Sequence, residues 1–284
     1  VLAANLMAGN GCVLKHASIC TGSGLRLRDL CIEAGLPEDL FQVILIDHDT
    51  SDKLIEHTKV RGVTMTGSDG AGRHIGSVAA KALKKTVLEL GSNDAYLVLE
   101  DADIDVAVKY SVMGRLYNNG ETCVSAKRFI VTDKVYDTFV DAFVAQMRGI
   151  TMGDPTDPAS QLGPLSSQDQ FDTVKDQVDK SVAKGAKVLC GGTAPDRKGA
   201  YYPATVLADV TPGMPAYDDE IFGPVAAVIR AKDDADAMRI ANDSRYGLGG
   251  GIFSRDEERA LELARDHFDT GMVRINSFGA ADPN

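Results

Sequence analysis

Two residues of types suited to covalent chemistry stand in order along the chain, a carboxylate at Glu89 in LELGSND and a thiol at Cys123 in NNGETCVSAKR. Together they could serve as general base and nucleophile. Cys123 differs from the cysteines at 12, 20, 31 and 190 because it follows Asn118, Asn119, Gly120, Glu121 and Thr122, a polar break between a helical run and the strand-like KRFIVT. Only this cysteine sits where a substrate could reach it. A free thiol has a pKa of about 8.5, so roughly a few per cent is thiolate at neutral pH unless polar neighbours or helix N-terminal amides stabilise the anion, as at a loop to helix junction. Glu89 lies among Val87, Leu88 and Leu90, and partial desolvation there is expected to raise its pKa from about 4.3 towards the working pH. Both residues also have ordinary structural uses, Cys as a small buried hydrophobe and Glu as a solvated or capping residue. Spacing alone leaves these readings open.

The elements that must hold these groups alternate between strand and helix with short polar connections, the pattern of a parallel α/β architecture. The run GCVLK predicts a strand, a helix follows over roughly 22–34, Gly35 and Pro37 stop it, and FQVILID and RGVTMT predict two further strands. A helix over roughly 71–84 leads to the strand TVLEL, and later helices are expected near 103–117, 136–148 and 168–186. A boundary near Gly91 divides the chain into residues 1–91 and 92–284. GDPTDPAS and GGTAPDRKGAYYP read as turn-rich surface loops. TGSDGAG at 66–72 joins a strand to a helix, so backbone N–H groups and the positive helix end could face a pyrophosphate, with Gly67 and Ser68 nearest to it. It is not a GxGxxG fingerprint, and such a turn is often only a turn.

Composition bounds the function. With 284 residues, 44% of them apolar and 25% charged, the chain can bury one large core or two smaller ones. A net charge of -11 argues against nucleic acid or an anionic membrane as partner. The 5 cysteines are odd in number and form neither a CxxC pair nor a His cluster, which points away from a disulfide framework or zinc site and towards the cytoplasm. No apolar run approaches the roughly 18 residues that span a bilayer.

Three motifs in register, LELGSNDAYLVLEDADID, NNGETCVSAKR and DDEIFGPV, resemble the aldehyde dehydrogenase superfamily in order, content and spacing. VLKHAS (13–18) and VTMTGSDGAG (63–72) extend the resemblance upstream, and YGLGGGIFS and GMVRINS extend it downstream, so it covers essentially the whole chain. VLKHAS and ELGSNDA are most similar to bacterial succinate-semialdehyde-dehydrogenase-like members. The resemblance implies a partial Rossmann-type cofactor domain followed by an α/β catalytic domain that bears the nucleophile. It also implies homo-oligomers, dimers or tetramers, in the intact enzyme. In the family a segment like PWNFP, which supplies an oxyanion-binding asparagine, precedes a stretch like the one beginning at Val1, and a PFGGxKxSGxGRE segment follows one like SFGAADPN. Both ends therefore read as truncated.

By this resemblance Cys123 attacks an aldehyde to form a thiohemiacetal, hydride passes to a nicotinamide, and Glu89 activates the water that hydrolyses the thioester. Lys15 contacts the adenosine ribose, Gly67 and Ser68 the pyrophosphate, Glu220 the nicotinamide ribose, and Phe222 packs beside the nicotinamide end. Ser18 stands where NAD-preferring members often carry a glutamate. A carboxylate there would repel a 2'-phosphate by about 4 kcal/mol at 4 Å and an effective dielectric near 20, an upper-end figure. The serine predicts a preference for NADP over NAD. Succinic semialdehyde needs a cation for its distal carboxylate, and Lys127 and Arg128 are candidates by proximity in sequence, unless these strand-borne charges face solvent.

Departures from the family pattern carry expectations of their own. Ser92 replaces the second glycine of ELGG and could crowd Glu89; Glu121 replaces a common glutamine and could raise the Cys123 pKa if its charge lies close; Met65 replaces a frequent phenylalanine. Two rivals remain: an inactive remnant that binds nucleotide or a partner without turnover, and a thiol esterase that uses Cys123 and Glu89 with no cofactor.

Overall fold

The computed structural model describes residues 1–279; in the GAADPN end, only Gly279 lies within them. It divides into two compact units, Val1–Leu90 and Gly91–Asn284. In the first unit the elements run α1 (Leu2–Met7), β1 (Cys12–Leu14), α2 (Thr21–Glu33), β2 (Phe41–Val43), α3 (His48–Glu56), β3 (Gly62–Thr66), α4 (Asp69–Lys81) and β4 (Lys85–Glu89). β1 pairs in parallel with β2, and β3 in parallel with β4, as two separate two-stranded sheets.

Local chemistry sets the helix ends. Asp47 and Ser68 accept the Thr50 and Ala71 N–H groups, capping α3 and α4. The Ser68 cap starts α4 two residues before the expected start at 71, and Leu83, with φ of 53°, lies just beyond its end. The strand expected across FQVILID is shorter, Phe41–Val43. After Ile44 donates its N–H to the Leu14 carbonyl at 3.0 Å, the chain leaves the sheet for the Asp47 cap.

The second unit contains β5 (Ala95–Val98), α5 (Ile104–Leu116), β6 (Arg128–Thr132), α6 (Tyr136–Arg148), α7 (Gln168–Ala183), β7 (Lys187–Cys190), β8 (Thr205–Ala208), α8 (Pro215–Asp218), β9 (Val225–Ala231), α9 (Asp234–Asn242), β10 (Gly250–Phe253), α10 (Glu257–Asp266) and β11 (Val273–Ile275). Its seven strands form one sheet in the order β11-β10-β5-β6-β9-β8-β7. Neighbours are parallel except β7 and β8, which are antiparallel.

Every residue of β5, β6 and β8 is buried, as expected where helices cover both faces of a parallel sheet. Alternate side chains enter different cores. Leu97, Ile130, Ala227 and Ile229 pack with Val174 and Val178 of α7 and with Met238, Ile240 and Ala241 of α9. Tyr96, Phe129, Val131 and Val228 pack with α5 and α6. In α6 the buried residues are Tyr136, Phe139, Val140, Phe143, Val144 and Met147, spaced by three and four so that they share one face. Helix α7 stops at Ala183 rather than 186, because Gly185 has φ of +112° and takes the chain out of the helical region. No described helix is long and apolar enough to cross a membrane.

Candidate active site

The loop that carries Cys123 is shaped before the cysteine is reached. After α5 the residues Asn118, Asn119 and Gly120 have φ of 51°, 57° and 75°, a left-handed run that asparagine and glycine tolerate best. Asn118 donates its side-chain amide to the Glu121 carbonyl at 2.9 Å. The Asn119 amide donates to the Pro164 carbonyl at 3.1 Å, and its oxygen accepts the Gly163 N–H at 3.0 Å. From the last turn of α5, the fully buried Arg115 donates to the carbonyls of Gly120 at 2.8 Å and Val225 at 3.3 Å.

Cys123 lies half-buried in a turn closed by the Ser125 N–H on the Thr122 carbonyl at 3.2 Å. No helix begins there, so the helix amides expected to stabilise a thiolate are not found; α5 presents its carboxyl end to this loop. Lys127 fixes the turn from beneath, donating its ammonium to the carbonyls of Thr122 at 3.3 Å, Cys123 at 2.7 Å and Ser125 at 3.2 Å. In a trans peptide the C=O and N–H point in opposite directions. With the Thr122 and Cys123 carbonyls aimed at Lys127, the N–H groups of Cys123 and Val124 therefore point away from it. An N–H so placed can receive negative charge developing on a carbonyl attached to the thiol.

Glu121 does not present its charge freely to the thiol. Its carboxylate accepts the Ser166 N–H at 3.0 Å and the Ser166 hydroxyl, just ahead of α7. Ser92 is buried with its hydroxyl turned to Asp94.

Glu220 and Phe222 lie on the approach to β9 and are half-buried. Two side chains of α7, seven residues apart and so on one helix face, hold their backbone: Gln177 donates to the Glu220 carbonyl at 3.0 Å and Gln170 to the Phe222 carbonyl at 2.7 Å. Lys127 reaches Glu220 as well, with Nζ at 3.2 Å from Oε1. That oxygen is buried without a hydrogen bond of good geometry, so the pair is held by charge. Burial pushes the Lys127 ammonium and the Arg115 guanidinium below their ordinary ranges, while Asp94 and Glu220 pull both back up. Burial likewise raises the Asp94 carboxyl, against the opposing pull of Lys127. Two cations and two anions thus balance behind the cysteine loop.

Lys127 and Arg128 do not offer themselves to a substrate carboxylate, nor do they face solvent: they are 2% and 1% exposed. Arg128 donates to the carbonyls of Asn93, Ile240, Asp243 and Ala241 at 3.1, 3.0, 3.5 and 2.9 Å. It satisfies carbonyls at the end of α9, where the helix dipole favours a cation.

In the first unit Glu89 closes β4 opposite Thr66, and its carbonyl accepts the Gly67 N–H at 3.0 Å. The side chain is exposed, as are three of the other four residues of β4, so the desolvated setting expected from its apolar neighbours is absent. Only the backbone joins Glu89 to Gly67. That bond commits the Gly67 N–H, leaving Ser68 and the first turn of α4 as the groups able to meet an anion, beside the acidic Asp69. Lys15 follows the end of β1, and Ser18 opens a short 3-10 turn before α2. Lys15, Gly67 and Ser68 therefore lie beyond the carboxyl ends of parallel strands, where open α/β sheets bind nucleotides. A cation, a hydroxyl and a helix N-terminus fit the chemistry of a dinucleotide.

Arg115, Gln170 and Gln177 were not expected at the site, and Lys127 was expected there as a cation for the substrate carboxylate, not as the support of the Cys123 turn. For the glutamines the only trace in sequence is their seven-residue spacing on a helix, and for Lys127 its place at the head of an apolar strand.

The family model described as "Aldehyde dehydrogenase family" matches residues 1–284. Succinate-semialdehyde dehydrogenase [NADP(+)] 1 of Mycobacterium ulcerans is 43% identical over 278 residues, which are 98% of this chain and 60% of that protein. Succinate-semialdehyde dehydrogenase [NADP(+)] of Deinococcus radiodurans is 44% identical over 274 residues, 96% of this chain and 57% of that protein. The crystal structure of succinic semialdehyde dehydrogenase from Streptococcus pyogenes in complex with NADP+ matches with a TM-score of 0.97 at 42% identity, over 100% of this chain and 62% of that one. Lactaldehyde dehydrogenase from Escherichia coli matches with a TM-score of 0.94 at 33% identity, over 99% of this chain and 59% of that one. The chain thus spans about 60% of the length of the curated relatives it matches. Its α/β fold is the one anticipated from the three motifs, and the match along all of its length means that the chain belongs to the aldehyde dehydrogenase family.

Proposed function

We propose that the protein to which this chain belongs oxidises an aldehyde to a carboxylate with NADP in preference to NAD, and that the aldehyde is succinic semialdehyde. The observation that carries the reading is the Cys123 turn, in which Lys127 turns the Thr122 carbonyl inward and so turns the Cys123 N–H outward. The names of the NADP-dependent relatives support the cofactor and the substrate.

Cys123 is the nucleophile, its thiolate adding to the aldehyde carbonyl to give a thiohemiacetal. The Cys123 N–H donates to the oxygen of that adduct as charge develops on it. A nicotinamide held by Glu220 and Phe222 would supply the hydride acceptor that takes this adduct on the thiol to the level of a thioester. Glu89 then takes a proton from the water that cleaves the thioester, releasing the acid and free Cys123. Its exposed carboxylate passes that proton to solvent. Lys15 donates to the adenosine ribose, Gly67 lines and Ser68 caps the pyrophosphate turn, Glu220 accepts from the nicotinamide ribose hydroxyls, and Phe222 packs against the same end. Ser18 admits a 2'-phosphate without repulsion. In this reading the enzyme works in the cytoplasm as a dimer or tetramer.

The test is made on the intact protein. Succinic semialdehyde should produce reduced NADP, and Cys123→Ala should lower that rate by roughly three orders of magnitude or more. A Cys123→Ala protein that keeps the activity sinks the assignment. NADP binding with no turnover on any aldehyde would favour a nucleotide-binding remnant instead.

A further inference from the structure

One ammonium touches two parts of the site with different tasks. Lys127 is 2% exposed, and its three hydrogen bonds go to carbonyls of the turn that bears Cys123. The same Nζ stands 3.2 Å from the carboxylate of Glu220, on a segment nearly a hundred residues further along the chain. We propose that Lys127 is a positioning residue that sets the peptide planes of the Cys123 turn and the carboxylate of Glu220 together.

An amine with three protons can satisfy three acceptors, and here it meets three carbonyls and one carboxylate oxygen, so its protons are shared. The carbonyls it holds belong to consecutive or nearly consecutive peptides, and their inward direction dictates the outward direction of the Cys123 and Val124 N–H groups. Among the described residues neither of those N–H groups donates to a protein acceptor. Without the ammonium the Cys123 and Ser125 carbonyls would have no donor and the Thr122 carbonyl only the Ser125 N–H, and the turn would reorient to find one. Glu220 depends on the same charge: the buried Oε1 has no hydrogen-bond donor of good geometry, so Lys127 is its electrostatic anchor. Gln177 holds the Glu220 backbone independently. Loss of Lys127 should therefore release the carboxylate without releasing the segment.

The part of this inference that concerns Glu220 and a bound cofactor rests on the proposed function; the part that concerns the turn does not. Lys127→Met keeps most of the side-chain volume and removes the charge and donors. In the 284-residue chain, amide hydrogen exchange across residues 118–126 should accelerate about tenfold or more while α6 and β9 keep their protection. In the intact enzyme Lys127→Met and Glu220→Gln should each raise KM for NADP several-fold, and the double variant should exceed Glu220→Gln alone by less than about twofold, since the two residues act as one unit. Unchanged exchange at 118–126, or a loss of protection shared equally by α6 and β9, overturns the restraint on the turn. Fully multiplicative effects on KM overturn the hold on Glu220, and so does a normal KM in Lys127→Met. If the wild-type enzyme oxidises no aldehyde, the proposed function falls and the exchange measurement still decides the role of Lys127.

Discussion

Gly120 and Gly223 approach so closely that a Cβ on Gly120 would lie 2.3 Å from the Gly223 carbonyl oxygen. The contact joins the loop before Cys123 to the segment after Glu220, and it exists only because Gly120 carries no side chain. Gly120 also has φ of +75°, so a side chain there meets both a strained backbone and an occupied space. Gly120→Ala is expected to destabilise the fold by about 3 kcal/mol or more, combining backbone strain with steric overlap. Urea unfolding measures the first effect; slower alkylation or turnover at Cys123 in the fraction that folds measures the displacement of the loop.

Arg128 serves the fold, and its loss should show in stability. Arg128→Met leaves the carbonyls of Asn93, Ala241 and Asp243 without their donor and that of Ile240 with only the Asp243 N–H. Removing the guanidinium also removes the cost of burying it, which offsets part of the loss. A net destabilisation of about 2–4 kcal/mol is expected by denaturant titration. A variant as stable as wild type would show that α9 caps itself by other means.

The hydroxyl of Tyr217 donates to Asp243 at 2.8 Å, and burial together with that carboxylate pushes its pKa up to about 12. The folded value lies above the unfolded value of about 10, so the folded state holds its proton where the unfolded state has lost it. The stabilisation is complete below pH 10 and is lost as the pH rises through 12, at about 1.4 kcal/mol per unit from this group. Tyr217→Phe should be less stable than wild type at pH 8 by about 1 kcal/mol for the lost hydrogen bond, yet decline less steeply above pH 10. Parallel curves for the two proteins between pH 10 and 12 would contradict the assignment.

Gln170 and Gln177 hold the Phe222 and Glu220 carbonyls from α7. Gln177→Ala should raise KM for NADP by about three- to tenfold, the effect of one lost hydrogen bond on the order of 1 kcal/mol. The rate at which iodoacetamide labels Cys123 should stay within twofold of wild type, because the lysine beneath that turn is untouched. A fall in labelling with KM unchanged would assign the helix to the wrong loop.

Ser18 is exposed at the opening of its 3-10 turn, so a charge placed there would be partly screened. Ser18→Glu should cost NADP about 1–2 kcal/mol relative to NAD, a shift of about tenfold in the ratio of their kcat/KM values. An unchanged ratio would place the 2'-phosphate elsewhere.

Much of the fold was legible because its signals are local. The buried positions of α6 fall at three- and four-residue intervals, and its bounds, Tyr136–Arg148, are those the pattern predicts. Ser68 and Gly185 also end helices by their own chemistry, but the pattern set those ends at 71 and 186, two and three residues too late. The polar break before Cys123 also showed in the letters, since asparagines and a glycine are the residues that accept a left-handed run.

The sequence by itself determined the order of strands and helices, the polar loop around the cysteine, and the family to which its motifs point. Which groups surround that cysteine was decided by tertiary structure alone. Lys127 and Arg128 look alike as neighbouring cations at the head of a strand, yet successive residues of a strand face opposite sides of the sheet. One therefore meets the Cys123 turn and Glu220, and the other the end of α9. Glu89 fails as a desolvated acid for a related reason: an apolar run on a strand shows that a face could be covered, while cover depends on what packs against it, and β4 is largely exposed. Burial and charge pairing join residues distant in the chain, and no local periodicity records the partner.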